Sequence, residues 1–200
     1  MGEMKFTHDV IVLGTGGVGS SALSHLAARG LRVVGLDQHP PAHGFGSSHG
    51  QSRIIRKAYF EHPDYVPLLE RAYALWDELS EKSGRSDLFE RTGLLQIGPR
   101  DGVVIPGVLE SAARHGLALE TFTEDEVKRT FPQYRVPEEC AAVFEQDAGL
   151  LRVEDCVLAY LQQAQEAGAA LFTGVIVHEW NADGNGVEVK TSEGTFRAGS

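Results

Sequence analysis

Long apolar runs and an excess of basic charge are both absent from this sequence of 200 residues. No stretch approaches the roughly 18 consecutive apolar residues that a membrane-spanning helix needs, so a membrane protein is not expected. The chain has 18 lysines and arginines against 28 acidic residues, which gives a formal net charge of −10. Because an acidic chain repels phosphate backbones, the composition also argues against a nucleic-acid-binding protein.

Cysteine is scarce, since the sequence has only two, too few for a disulfide framework. We expect both, Cys140 and Cys156, to be buried free thiols. The polar start of the sequence, residues 1–8, lacks the apolar core of a secretory signal. These features predict a reducing, cytoplasmic location. The hydrophobic fraction of 42% and the charged fraction of 23% are typical of a globular protein.

The first forty residues predict the first unit of a doubly wound sheet. The apolar run Val10–Leu13 and a second run at 33–36, closed by Asp37, are typical of buried parallel strands. Between them lies a helical pattern with a continuous apolar face. That face comprises Val18, Ala22, Leu23, Leu26 and Ala27.

The turn between the first strand and the helix carries the pattern G-x-G-x-x-G, formed by Gly14, Gly16 and Gly19. In a dinucleotide site the first glycine allows a tight turn, the second a close backbone approach to the pyrophosphate, and the third close packing of helix on strand. The helix N-terminus offers N–H groups to the phosphates, and the Asp37 carboxylate is placed to bind ribose hydroxyls. The predicted cofactor-binding residues here are Gly14, Gly16, Gly17, Val18, Gly19, Asp37 and Gln38.

The pattern leaves the identity of the cofactor open. An acid at the ribose position disfavours NADP, because it would repel the additional phosphate. The motif alone does not separate NAD from FAD, and a structural glycine turn that binds no ligand is the alternative.

A long irregular loop follows the second strand, and such loops inside compact domains are usually functional. Residues 46–59 read GSSHGQSRIIRKAY and carry His49, Arg53 and Arg56. A short helix, predicted to begin near Ser52, would put the two arginines on one face, where they repel each other unless an anion lies beside them. The alternative is a solvated basic face that is paired with local acids.

The remainder of the sequence alternates helical and strand patterns. The predicted helices lie at 67–80, 108–115, 123–130 and 154–167. The predicted strands lie at 94–97, 175–180, 187–190 and 195–198, and the last three form an antiparallel meander. Thr123 and Glu126 have the spacing of a capping box. Because only two parallel strands are evident, the sheet is incomplete, and we expect the chain to be the N-terminal part of a longer protein.

The loop GSSHGQSRIIRKAY resembles the corresponding loop of the sarcosine oxidase family of FAD-dependent amine oxidases, whose members include sarcosine, N-methyltryptophan and pipecolate oxidases. The resemblance continues through YVPLLERAYALWDEL, RTGLLQIGP and FEQDAGLLRVEDCVLAY and spans residues 9–198. It implies an α/β fold: a Rossmann-like FAD-binding domain, made of a parallel sheet and an antiparallel β-meander, with an inserted α+β substrate domain. We expect the FAD-binding domain at 1–90 and 145–200, and the start of the substrate domain at 91–144.

The resemblance also implies a reaction and its partners. Family members oxidise a secondary or N-methyl amino acid to an imine, and oxygen takes up the electrons and leaves as hydrogen peroxide. We therefore expect bound FAD, a small-molecule amino-acid substrate, oxygen and a monomeric protein, with no metal. Family members attach FAD through a cysteine in their C-terminal half. Cys140 and Cys156 do not lie in that context, so any covalent attachment is expected through a cysteine beyond residue 200.

Residue roles are implied by position in the shared motifs. Arg56 matches the arginine that holds the substrate carboxylate, a role that suits an arginine because its planar fork binds carboxylates bidentately. His49 and Arg53 match residues beside the flavin ring, where positive charge would stabilise the reduced flavin during catalysis. The residues that match positions along the cofactor are Ser47, Ser48, Ser52 and, in the meander, Val177.

Two other functions stay open. One is a different FAD-dependent enzyme of the wider amino-acid oxidase superfamily, such as a D-amino acid or glycine oxidase, or a dehydrogenase that does not use oxygen. The other is a non-catalytic dinucleotide-binding module. Flavin absorbance separates FAD from NAD, and peroxide release separates an oxidase from both a dehydrogenase and a binding module.

Overall fold

The computed structural model describes residues 8–184 and 186–199 of the chain. Two predicted features extend to other residues: the polar start includes residues 1–7, and the turn between the meander strands at 175–180 and 187–190 includes Asn185. These residues and Ser200 lie outside the described residues.

The chain divides into two compact units. Unit 1 comprises Met1–Ser52 and Arg152–Ser200, and unit 2 comprises Arg53–Leu151. Unit 2 is wider than the predicted insert at 91–144, because strands on either side of that range pair with each other inside the unit. The assignment of one part of the chain to a cofactor and another to a substrate stays a prediction.

The described residues form twelve strands and five α-helices. The strands are β1 (Val10–Leu13), β2 (Val33–Asp37), β3 (Arg53–Ile55), β4 (Phe89–Glu90), β5 (Leu94–Pro99), β6 (Glu120–Phe122), β7 (Cys140–Glu145), β8 (Gly149–Leu151), β9 (Ala170–Thr173), β10 (Val177–Asp183), β11 (Gly186–Thr191) and β12 (Gly194–Ala198). The helices are α1 (Gly17–Ala27), α2 (Val66–Ser83), α3 (Val104–His115), α4 (Glu124–Thr130) and α5 (Val153–Glu166). A 3₁₀ turn, Pro63–Tyr65, precedes α2.

A parallel three-stranded sheet in the order β1-β2-β9 forms the centre of unit 1. Helices α1 and α5 pack on one face, where Leu23 and Val157 share a core cluster with Val33 of β2. The antiparallel meander β10-β11-β12 packs on the other face, against Val34 and Leu36. Successive residues of a strand point to opposite faces, which is why the uninterrupted apolar run of β2 is buried throughout.

Unit 1 confirms most of its predicted elements and corrects two predictions. The strands β1 and β2, the helices α1 and α5, and the meander form where the sequence places them, within a few residues. The sequence shows two strong candidates for parallel strands, and the structure corrects this number with β9, which pairs with β2 as a third. Val18 does not belong to the buried face of α1. It is 86% exposed, because it lies in the first turn and off the stripe formed by Leu23 and Ala27.

Unit 2 contains two antiparallel three-stranded sheets, β3-β8-β4 and β5-β7-β6. Its helices α2, α3 and α4 form near the predicted positions, and α4 begins with the predicted capping box. There the Thr123 N–H donates to Oε2 of Glu126 at 2.8 Å, and the Glu126 N–H donates to the Thr123 hydroxyl at 3.3 Å. This mixture of helices and antiparallel strands agrees with the predicted α+β character.

The helix predicted to begin near Ser52 is wrong, because these residues form β3, which pairs antiparallel with β8. Two adjacent isoleucines favour a strand, and their exposure alternates accordingly, with Ile54 64% exposed and Ile55 7%. Arg53 and Arg56 therefore do not share a helical face. Arg53 is exposed in β3, and Arg56 follows the end of the strand.

Both cysteines are buried and neither forms a disulfide, as predicted. Among the helices that the structure describes, none is long and apolar enough to cross a membrane. Within residues 8–184 and 186–199, no three His, Cys, Asp or Glu side chains form a group that could hold a metal ion.

Candidate functional site

A cavity of about 760 Å³ opens in unit 1 where the parallel strands β1 and β2 end. Proteins with an open parallel sheet bind their ligands at this edge. The volume is within the roughly 300–1,000 Å³ of small-molecule and cofactor sites. The lining residues are Val12, Leu13, Gly14, Thr15, Gly16, Gly17, Val18, Gly19, Ala22, Asp37, Gln38, His39, Pro41, Ala42, His43, Phe45, Gly46, Ser47, Ser48, Val157, Val175 and Val177.

Most of the predicted cofactor-binding residues line this cavity. They are Gly14, Gly16, Gly17, Val18, Gly19, Asp37, Gln38, Ser47, Ser48 and Val177. His49 and Ser52, which belong to the same unit, are not among the lining residues. The structure thus brings together the glycine pattern, the predicted ribose acid and part of the loop, while their contacts with FAD stay a prediction.

The glycine turn has the close approaches that its pattern predicts. Gly14 has a φ of +82°, a backbone conformation that favours glycine, and the chain turns there from β1 towards α1. A Cβ on Gly19 would lie 1.8 Å from the carbonyl oxygen of Gly14, so a side chain cannot fit between helix and turn. In contrast, a Cβ on Gly16 would meet only the Ser48 hydroxyl, at 3.9 Å, so the backbone here lies open beside the cavity.

The N-terminus of α1 suits an anion. Its first turn, which lies within the described residues, carries no acidic side chain. The Gly17 N–H donates to the Ser48 hydroxyl at 3.1 Å, and the first N–H groups of any helix lack partners within it. Because the dipole of the helix is positive at this end, the turn fits the pyrophosphate of a dinucleotide.

Asp37, at the end of β2, is almost fully buried beside the glycine turn. Its Oδ2 accepts the Thr15 N–H at 2.7 Å and the Thr15 hydroxyl at 3.1 Å, and its Oδ1 accepts the His39 N–H at 3.0 Å. Burial alone raises the pKa of this carboxyl, but the three donors and the nearby His43 outweigh burial and hold the pKa below its usual value. Asp37 is therefore a carboxylate that fixes the glycine turn and can accept ribose hydroxyls.

Three rings from the loop after β2 form part of the cavity wall, and the sequence analysis did not single them out. His39 and Phe45 are stacked with their ring centres 4.4 Å apart, and the His43 ring lies 4.7 Å from that of His39. The Phe45 N–H donates to Nδ1 of His43 at 3.0 Å, while Nε2 of His43 lies 3.7 Å from Oδ1 of Asp37. No sequence period marks these positions, because an irregular loop places them.

The part of the loop that carries His49 is tied to helix α5. The Gly50 N–H donates to Oε1 of Glu154 at 2.8 Å, and Gly50 has a φ of +89°. His49 is exposed, and its Nδ1 is hydrogen-bonded with the carbonyl oxygen of Gly46. The sequence does not predict this contact, because Gly50 and Glu154 lie 104 positions apart and no local pattern connects them.

Arg56 lies in unit 2, and residues close in sequence hold its guanidinium. Its Cζ lies 4.4 Å from the centre of the Tyr59 ring and 5.4 Å from that of Phe60. Its Nη2 lies 3.3 Å from Oε1 of Glu61. Its Nε is buried and has no hydrogen-bond partner among the described residues.

These contacts bear on both interpretations of the arginine loop. The pairing with Glu61 is what the alternative, a basic face paired with local acids, predicts. That alternative does not predict the unpaired Nε of Arg56. Buried polar groups are nearly always hydrogen-bonded, and an exception needs an explanation such as an absent ligand. A carboxylate placed against Nε and one Nη would satisfy this donor in the bidentate geometry that arginine favours.

We expect the Asp37→Asn variant of the full-length protein to bind FAD more weakly by about 1.5–3 kcal/mol, because the charge-assisted hydrogen bond predicted between Asp37 and the ribose would be lost. Asn keeps one oxygen for Thr15, so the glycine turn is disturbed less than by Ala. Asp9→Asn is the matched control, since Asp9 pairs with Arg32 outside the cavity lining. The measurement is a fluorescence titration of flavin-free protein with FAD. Equal affinities in both variants would contradict the placement of the ribose.

Comparisons with known proteins show the family to which the chain belongs. A family model described as FAD dependent oxidoreductase (DAO) matches residues 9–199. The chain is 43% identical over 196 residues to monomeric sarcosine oxidase of Streptomyces avermitilis, and 38% identical over 191 residues to N-methyl-L-tryptophan oxidase of Escherichia coli. The matches cover 98% and 96% of this chain and 51% of each relative. The chain thus spans about half the length of the curated relatives it matches.

Solved structures give the same picture. NikD, described as an unusual amino acid oxidase essential for nikkomycin biosynthesis, matches with a TM-score of 0.86 at 30% identity, over 98% of this chain and 50% of its own. L-proline dehydrogenase from P. horikoshii matches with a TM-score of 0.81 at 25% identity, over 98% of this chain and 52% of its own. The predicted fold class, and the family resemblance on which it depends, are confirmed.

Proposed function

Because the chain belongs to the FAD-dependent oxidoreductase family, we propose that the protein containing it oxidises a secondary or N-methyl amino acid to an imine and reduces oxygen to hydrogen peroxide. The names of its relatives specify sarcosine and N-methyl-L-tryptophan, which are both N-methyl amino acids. FAD, when bound, takes up the two electrons released as the C–N single bond becomes a double bond, and oxygen removes them.

The observation that carries the proposal is the unpaired Nε of Arg56. The Arg56 side chain is only 17% exposed. Its guanidinium lies against Tyr59 and Phe60, and its buried Nε has no acceptor among the described residues. An amino acid brings a carboxylate of the shape and charge that this donor lacks. Arg56 is therefore proposed to bind the substrate carboxylate and to orient the amine, with the carboxylate replacing Glu61 as partner of the fork.

The cofactor residues are proposed to act in three groups. The glycine turn and the N-terminus of α1 hold the pyrophosphate, and Asp37 holds the ribose. The residues proposed to lie along the remainder of the cofactor are Val18, Gln38, Ser47, Ser48, Ser52 and Val177. His49 and Arg53 are proposed to stabilise the negative charge that the flavin gains on reduction.

Covalent attachment, oligomeric state and location complete the proposal. Cys140 and Cys156 are buried and are not proposed as attachment points, so a covalent bond to FAD would need a cysteine outside this sequence. We infer a monomer, as the name of the sarcosine oxidase relative indicates for that protein. Two buried cysteines that form no disulfide suit a reducing compartment, and we infer a cytoplasmic protein.

The test is oxygen consumption and peroxide release by the purified full-length protein. With sarcosine, N-methyl-L-tryptophan or L-pipecolate, we expect loss of flavin absorbance without oxygen and one peroxide per oxygen consumed. Reduction of the flavin without oxygen uptake would indicate a dehydrogenase, and a preference for glycine or a D-amino acid would indicate another oxidase. Failure of every amino acid to reduce the flavin would indicate a non-catalytic module.

A further inference from the structure

A buried carboxylate in unit 2 fixes the backbone directly after Arg56. Glu145, the last residue of β7, is only 2% exposed. Its Oε1 accepts the Lys57 N–H at 2.6 Å, and its Oε2 accepts the Ala58 N–H at 3.1 Å. Two consecutive N–H groups thus bind the two oxygens of one carboxylate, an arrangement that sets the direction of the chain as well as its position.

This arrangement differs from an ordinary surface ion pair near the same place. The Lys57 ammonium group pairs with Asp147 at 2.8 Å, but the Asp147 side chain is 63% exposed. Exposed ion pairs contribute little to stability, because water and salt screen the two charges. A buried acceptor that binds two backbone donors is different, since the loss of either bond leaves a buried polar group without a partner.

Among the described residues, the contacts of the Arg56 guanidinium are with Tyr59, Phe60 and Glu61, all within five positions along the chain. The backbone on either side is held by other parts of unit 2, because β3 pairs with β8 directly before Arg56 and the Ser111 hydroxyl donates to the Tyr59 carbonyl. Between these points, the Glu145 carboxylate holds the two N–H groups that directly follow Arg56.

We propose that Glu145 is a positioning residue for the substrate carboxylate. It touches neither substrate nor cofactor. Glu145 holds the backbone of Lys57 and Ala58. This backbone in turn keeps the Arg56 guanidinium in the orientation that meets the substrate. The proposal rests on the proposed role of Arg56. Its expected effect is large because a displacement of about 1 Å in a binding group can reduce activity by 10²-fold.

Glu145→Gln is the first variant, because it keeps the size of the side chain. Its amide has one acceptor oxygen, and its NH₂ group faces an N–H donor, so one of the two hydrogen bonds is lost. In the full-length protein with FAD we expect KM to rise by about 10- to 100-fold with a smaller change in kcat, since carboxylate binding is lost in ground state and transition state alike. Asp147→Asn is the control, with KM within about threefold of wild type.

The deciding measurement is a double-mutant cycle with Arg56→Ala, read as the affinity for acetate, a carboxylate without an amine, from the change in flavin absorbance. We expect Glu145→Gln to weaken acetate binding when Arg56 is present and to have no further effect when it is absent. Equal weakening in both backgrounds, or no weakening in either, would overturn the positioning role and leave the proposed function standing. If Arg56→Ala itself leaves acetate affinity unchanged, the proposed role of Arg56 fails, and the positioning role fails with it.

A second variant covers the case in which Glu145→Gln does not fold. Glu145→Asp keeps the charge and shortens the side chain by one methylene, so it withdraws both oxygens without introducing a donor. We expect faster hydrogen exchange at the Lys57 and Ala58 amides together with weaker acetate binding. Unchanged exchange at these two amides, or faster exchange with unchanged acetate binding, would overturn the proposal.

Discussion

Gly19→Ala is expected to remove FAD binding altogether and to lower the free energy of unfolding by more than about 3 kcal/mol. The added Cβ would lie 1.8 Å from the carbonyl oxygen of Gly14 and 2.9 Å from its carbon, both of them backbone atoms that no rotamer change can move. Overpacking against movable side chains costs about 1–3 kcal/mol, so a clash with backbone exceeds that range. Relief of the clash requires α1 to move away from β1, which displaces the N–H groups proposed to hold the pyrophosphate.

Gly16→Ala is the matched control for the loss of stability in Gly19→Ala. Gly16 has a φ of −70° in an extended conformation, which alanine adopts, and its Cβ would meet only the Ser48 hydroxyl at 3.9 Å. We expect its unfolding free energy to stay within about 1 kcal/mol of wild type. The measurements are urea unfolding of the flavin-free full-length proteins and the flavin content of the purified ones. Wild-type stability and flavin content in Gly19→Ala would contradict the packing described for this turn.

The glycine turn could be predicted because its signals are local. A strand of apolar residues, a turn residue with positive φ, a helix and an acid at the end of the next strand follow one another within the first forty residues. Each of these signals reflects a backbone or burial requirement of the residue itself. The meander and the capping box of α4 were predictable for the same reason.

The errors arose where distant parts of the chain decide the structure. The sequence predicts a short helix at the residues of β3, but they form a strand because they pair with β8, almost a hundred positions further along. Local propensity is a weak guide when pairing of this kind competes with it. β9 is not predicted from the sequence because it has only four residues, all of them half-exposed or exposed, and they show no alternation. Only its position beside β2 identifies it.

The missed polar residues have the same explanation. Glu145 and Glu154 bind backbone N–H groups 88 and 104 positions away, and the sequence gives no sign of either partner. Each acid holds a segment that a sequence motif identifies. Glu154 holds the loop beside His49, and Glu145 holds the chain after Arg56. The sequence therefore identified the residues proposed to bind ligands, and the structure adds the residues that hold them in place.

The second large effect is expected for Arg56→Lys, which should weaken binding of acetate and of the amino-acid substrate by about 10- to 100-fold. Lysine keeps the positive charge but loses the planar fork, and with it the Nε donor that lacks a partner in the structure. Flavin absorbance should be almost unchanged, because the proposed role of Arg56 concerns the substrate alone. Arg53→Lys is the paired variant, and it should change flavin absorbance and slow flavin reduction while acetate binding stays close to that of wild type.

The pair of variants decides between the proposed roles because each is measured by both acetate affinity and flavin absorbance in the full-length protein. If Arg53→Lys loses acetate binding and Arg56→Lys changes the absorbance, the two roles are reversed, and the assignment by position in the shared motif is wrong. If neither variant changes either quantity, Arg56 is no more than the partner of Glu61. In that case the solvated basic face is the correct interpretation, and the unpaired Nε does not mark a carboxylate site.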